Sequence, residues 1–219
     1  MVDQLILKFP KNKVFQKEDF YVSSSNNQAY EFINGWPKWL KRIVNIYGPP
    51  GSGKSHLASI LKSKTSVLEI DSKLISDKIF FQLKTKEALI IENLSQNISE
   101  NLLFSLWNTI LQDNKYFLIT SETPINLFNF KLVDLKSRVS SCVTIGIKLP
   151  DDKLISVILA KNFSDRQINV EKKHIDYIVK RIDRSYEKIS QFISVLDKYS
   201  LKMSSPFSLK LIKEVLKMI

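Results

Sequence analysis

The sequence predicts an α/β fold: a five-stranded parallel sheet flanked by helices and followed by a small all-helical lid. Three observations carry this prediction. Short, nearly all-apolar runs alternate with helical patterns, as strand–helix–strand units on a parallel sheet require. A Gly/Pro cluster joins the first of these runs to a helix. After Leu149-Pro150 only helical periodicity remains.

Taken in order, the strands are Arg42–Tyr47, Ser66–Ile70, Ala88–Ile91, Tyr116–Thr120 and Cys142–Ile147. Runs this short and this apolar suit strands covered on both faces. Between the third and fourth, Ile98, Leu102, Leu103, Leu106, Trp107, Ile110 and Leu111 recur at helical spacing, so this segment packs on the sheet as a helix. In the lid, Asp151-Asp152 opens a helix running to about Lys161, with its acids at the end the helix dipole favours. Two more are expected over 171–181 and 186–199. A last one begins at Ser205-Pro206, a cap residue followed by proline, and puts Phe207, Leu211, Val215 and Ile219 on one stripe. The boundaries are therefore residues 13–150 for the α/β part and 151–219 for the lid, with 1–12 as a separate N-terminal peptide.

The 219 residues are 44% hydrophobic and 25% charged, close to an average globular domain, and no apolar run reaches membrane-spanning length. No membrane partner is expected. Asp3 stands where a secretory leader would be basic, which points to a cytoplasmic protein. The single cysteine, Cys142, cannot form an internal disulfide and reads as a buried strand residue. A net charge of +11 favours proximity to polyanions, but the lysines are scattered, so direct DNA contact stays open.

The most specific motif is Gly48-Pro49-Pro50-Gly51-Ser52-Gly53-Lys54-Ser55, which follows a strand and opens a helix. Glycines let backbone N–H groups turn inward around phosphate oxygens, Lys54 brings charge near the β and γ groups, and Ser55 can bind Mg²⁺. The acid expected at a neighbouring strand end is Glu92, a second Mg²⁺ candidate, although an ordinary strand-end acid would look the same. The next residue is Asn93, which cannot accept a proton from an attacking water, so hydrolysis by the chain alone should be slow unless another acid substitutes.

With Lys54-Ser55-His56-Leu57 after the glycines and a helical lid, the chain resembles the AAA+ ATPases related to the replication initiator DnaA, most of all the short DnaA homologues of the Hda type. The resemblance spans nearly the whole chain and implies ADP or ATP as ligand. By it, Phe20 and Val22 line the adenine pocket, His56 extends the phosphate motif, and Thr120-Ser121 put a polar sensor group near the γ-phosphate. Arg138, in Asp134-Leu-Lys-Ser-Arg138, is the family's arginine finger, reaching the ATP site of a neighbouring subunit; an ion pair with Asp134 is the plainer alternative. Arg184 matches the lid arginine, with Arg181 near enough in sequence to compete.

Gln4, Leu5, Leu7 and Phe9 resemble the peptide by which replication proteins dock on the DNA polymerase III β sliding clamp, although alternating apolar residues also describe an edge strand. The resemblance thus implies a regulator that docks on DNA-loaded clamp, touches DNA through it, and stimulates ATP hydrolysis by DnaA, with a homo-oligomer also open. A full initiator, which carries further N- and C-terminal domains, is not expected. The rival from another class is an autonomous P-loop ATPase of the helicase-loader or remodelling type, and a third is a nucleotide-gated module tethering the clamp to another partner.

Overall fold

The computed structural model describes residues 20–166, 168, 170–203 and 208–219. Five strands, β1 (Ile43–Tyr47), β2 (Val67–Asp71), β3 (Ala88–Leu94), β4 (Tyr116–Ser121) and β5 (Val143–Gly146), form one sheet in the order β2-β3-β4-β1-β5. Every pairing is parallel. These are the five apolar runs read from the sequence, each with ends moved by a residue or more. Cys142 lies just ahead of β5 and is half-buried; burial pushes its thiol up to about 12.

Helical crossovers make the parallel order possible. Helix α1 (Asn27–Asn34) precedes β1, and α2 (Lys54–Lys62), α3 (Lys78–Leu83), α4 (Glu100–Gln112) and α5 (Val133–Ser140) join successive strands. Because side chains alternate along a strand, β3 sends Leu89 and Ile91 to one face and Ile90 to the other. The first face packs under α3, α4 and α5 with Leu106, Trp107 and Leu135; the second packs under α1 and α2 with Ile33, Leu57 and Leu61. Helix α4 starts at Glu100, later than the apolar stripe suggested, because the Ser99 hydroxyl accepts from Leu102 N. Ile98 is left outside the helix but packed on the same core as Leu103, the arrangement of a hydrophobic staple.

The lid comprises α6 (Asp152–Ser164), α7 (Lys172–Val179), α8 (Tyr186–Met203) and α9 (Leu209–Met218) around a core of its own that includes Leu159, Phe163, Ile178, Phe192 and Ile212. The pair Ser205-Pro206 and Phe207 lie outside the described residues. Helix α9 is capped at Ser208, whose hydroxyl accepts from Leu211 N, so it begins later than that pair suggested. Among the described residues no helix is long and apolar enough to cross a membrane.

One consequence of the strand order decides where chemistry can occur. Strand β4 lies between β3 and β1, so the C-terminal tips of all three meet at one edge, beside the switch in winding direction at β1.

Candidate functional site: a phosphate loop between sheet and lid

Strand β1 leads into Gly48, whose N–H donates to Ser121 O on the tip of β4. The chain then turns through Gly51 (φ 78°) and Gly53 (φ 93°), left-handed conformations that favour glycine. A β-carbon on Gly53 would also stand 2.9 Å from the Phe20 ring. Helix α2 starts at the next residue, which aims its unpaired N-terminal N–H groups into the turn. The Lys54 ammonium donates to the carbonyls of Gly48 (2.6 Å) and Pro49 (3.0 Å), closing the loop around its own cation. Burial pulls Lys54 below its ordinary value, opposed by the negative charges of Glu122 and Glu92.

Ser55 and Glu92, the two Mg²⁺ candidates, lie near each other, and the Ser55 hydroxyl favours the charged form of Glu92. Burial raises its carboxyl above the ordinary range, the Ser55 contact opposes that rise, and the charges of Glu69 and Asp71 add to it. Its Oε1 is buried with no hydrogen-bond partner, an orphaned hard oxygen next to a hydroxyl, and this set fits a small divalent cation. Among the described residues no group of three or more His, Cys, Asp or Glu could hold a metal by itself, so the ion would take its other ligands from phosphate and water.

Asn93 sits in a β-bulge of β3 at φ 56°. Its amide donates to Asp71 Oδ2 at 2.8 Å, its backbone carbonyl accepts from Ser72 Oγ, and its N–H donates to Thr120 Oγ1 at 3.1 Å. Ser121 accepts from the buried Asn45 amide at 2.8 Å and donates to Thr123 O at 2.7 Å. Both expected sensor hydroxyls are thus buried and engaged in joining the strand tips. The side chain that projects from this tip is Glu122, which is exposed and exerts the leading electrostatic influence on Lys54. Glu122 lies immediately beyond the apolar run, where a strand-end side chain is free to point outward and apolar periodicity gives no signal.

Phe20 lines a cavity of about 140 Å³ with Gly51, Ser52, Gly53 and the lid residues Ile158, Lys161 and Tyr186. Its ring stacks on Tyr30 (5.5 Å between centroids) and meets His56 edge-on at 5.1 Å, so His56 supports the pocket wall. Val22 lines a different cavity, about 740 Å³, together with Pro150, Asp152 and Arg184. Arg184 Nε donates to Asp152 Oδ1 at 2.9 Å, and Arg181 lies over the Tyr177 ring at 3.7 Å. Neither arginine lines the cavity walled by Gly51, Ser52 and Gly53. Tyr186 does: its β-carbon packs on Gly51 and its hydroxyl donates to Lys148 O at 3.2 Å, linking lid, loop and connector.

Arg138 is exposed in the last turn of α5, where the helix dipole favours a cation. No ion pair with Asp134 forms, so the guanidinium projects to solvent while Leu135 and Val139 hold the helix in the core. Gln4, Leu5, Leu7 and Phe9 lie outside the described residues.

No protein-family model matches the chain. The DnaA initiator of Borreliella burgdorferi is 24% identical over 236 residues, covering 93% of this chain and 48% of that protein. DnaA of Buchnera aphidicola is 22% identical, covering 97% and 55%. The chain thus spans about half the length of the curated relatives it matches. Among solved structures, domain III of Thermotoga maritima DnaA superposes with a TM-score of 0.77 at 19% identity, covering 96% of this chain and 98% of that one. AMPPCP-bound DnaA from Aquifex aeolicus gives 0.69 at 20% identity, covering 87% and 67%. The T. maritima RuvB branch-migration motor gives 0.63 at 17% identity, covering 81% and 61%. The chain therefore shares the fold of DnaA domain III, and its sequence is similar to DnaA over nearly all of its length.

Proposed function

We propose that the chain is an adenine-nucleotide-binding regulator of replication initiation: docked on the DNA-loaded β sliding clamp through Gln4, Leu5, Leu7 and Phe9, it stimulates ATP hydrolysis by DnaA through Arg138. The observation that carries this reading is an asymmetry in the site. The glycine turn and Lys54 gather at the strand tips beside Ser55 and Glu92, which supports nucleotide binding, but an amide bound to Asp71 stands where a proton acceptor would be needed.

In this reading the amides of the Gly51–Gly53 turn and Lys54 hold the diphosphate, and Phe20 and the lid cover the base. Ser55 and Glu92 would hold Mg²⁺, which supplies neutralising charge to the phosphate oxygens. Arg138 is exposed on a packed helix and makes no ion pair among the described residues, so it can enter a neighbour's site and neutralise charge spread over the γ-phosphoryl oxygens. Such a residue is worth about 10³–10⁵ in rate in related systems.

The test mixes this chain with clamp, DNA and ATP-bound DnaA and follows conversion to ADP. Wild type should accelerate conversion, and Arg138→Ala should lose that acceleration by about a thousandfold. Equal activity of the variant ends the finger assignment. Brisk turnover by the isolated chain, abolished by Glu122→Gln, would instead make it an autonomous ATPase with Glu122 as its acid.

A further inference from the structure

We infer that Glu100, on α4, is the positioning residue of the Arg138 finger: its carboxylate holds the start of α5 by two backbone N–H groups and so sets where the guanidinium projects. The inference rests on the finger reading above and names the residue that aims the finger.

Helix α5 has eight residues, too few to be stable alone, and its N-cap residue Leu132 offers no side-chain oxygen. Nor does its third residue, Leu135, carry the carboxylate that a capping box would turn back to the N-cap N–H. Glu100 takes that place from 32 residues earlier in the chain. Its Oε2 accepts from Leu132 N at 2.7 Å, and both of its oxygens accept from Lys131 N at 2.9 Å. These donors hold the carboxyl below its ordinary value, so the charge that strengthens the bonds is present at neutral pH.

Glu100 is itself fixed by α4, in whose first turn it stands and whose Leu103, Leu106, Trp107 and Ile110 are buried. Helix α5 has only two buried anchors, Leu135 and Val139, one above the other on a single face. A helix held along one line is free to roll about it. Hydrogen bonds at both ends remove that freedom: Glu100 at the start, and at the finish Lys41 Nζ, which donates to Ser141 O at 2.8 Å. Arg138 lies about 9 Å along the axis from Leu132, so a roll or tilt at the start is carried to the guanidinium.

The test has two readouts. In the mixture of clamp, DNA and ATP-bound DnaA, the maximal rate of hydrolysis and the chain concentration giving half of it are measured for wild type, Glu100→Ala, Glu100→Gln, Arg138→Ala and the double variant Glu100→Ala/Arg138→Ala. Asp113→Asn, at the far end of α4, controls for net charge. Misplacing a reacting group by about 1 Å can cost about a hundredfold, so Glu100→Ala should lower the maximal rate roughly tenfold or more and leave the half-saturating concentration unchanged. Glu100→Gln, which keeps one acceptor oxygen, should lose less, and Asp113→Asn should match wild type. In the Arg138→Ala background Glu100→Ala should cost nothing further. An unchanged rate in Glu100→Ala overturns the inference, and so does an equal loss with and without Arg138, which would make Glu100 a prop of the fold alone. The second readout is amide hydrogen exchange of the isolated chain, in which Glu100→Ala should speed exchange over 131–140 and leave 103–112 unchanged. Unchanged exchange over 131–140 overturns the inference whatever the partner does. Arg138→Ala acting like wild type is a separate result: it removes the finger reading, and exchange alone then decides whether Glu100 holds α5.

Discussion

In the proposed function Glu92 is unfavourable for the empty protein and useful to the loaded one. Burial raises its carboxyl, so between its ordinary and its raised value the folded protein binds more protons than the unfolded chain, and stability falls as pH rises through that window. Its Oε1 also lacks a partner. Glu92→Gln removes the charge at nearly constant shape. Solvent screens part of the effect, so a modest rise in the melting temperature of the nucleotide-free protein is expected. The same variant should lose the Mg²⁺ dependence of nucleotide affinity. A lower melting temperature together with intact Mg²⁺ dependence would remove Glu92 from the metal site. The position of Glu92 at the strand tips was legible from its place at the end of an apolar run. The roles of Asp71 and Glu122 were not, because each depends on which strand tips the sheet brings together.

At the scale of the element, α6 is the part of the lid on which the site depends most. The Asp151 carboxylate caps it by accepting from Leu154 N at 2.7 Å, and that hydrogen bond, with lesser help from Ser24 and Lys153, holds the carboxyl below its ordinary value. A depressed carboxylate contributes stability that is complete above the unfolded value and is lost as pH falls through the folded one. Asp151→Ala should therefore destabilise the protein by about 1 kcal/mol at neutral pH, the usual loss for an N-cap, and the difference should shrink below about pH 4. Denaturant melts of both proteins at pH 7 and pH 3 check this; a difference independent of pH would mean the cap acts through packing. The acids at 151–152 announced this helix in the sequence, whereas α1, α3 and α5, at eight, six and eight residues, are too short for periodicity to show.

For the whole molecule, a ligand seated between sheet and lid contacts both bodies and binds only when both are folded. ADP at a hundredfold excess over its dissociation constant should add about 2.7 kcal/mol of stability. That corresponds to a rise in melting temperature of roughly 5–10 °C, in one transition. A melt in which ADP shifts only part of the signal would show that the lid unfolds separately. The +11 charge also has a partly internal use: Lys41, Arg42, Lys64 and Lys115 donate to the backbone carbonyls of Ser141, Asn114, Asn34 and Lys86 where helices and their following turns end. The sequence by itself determined the strands, the phosphate turn and the helical lid, because apolar periodicity and glycine's freedom at positive φ act within a few residues along the chain. Only the tertiary structure decided that Asn93 binds Asp71, that the sensor hydroxyls are engaged internally, and that Arg184 pairs with Asp152 rather than lining the cavity of the glycines. Those contacts join residues far apart in the chain, and which of them form depends on the order of strands in the sheet and the seating of the lid.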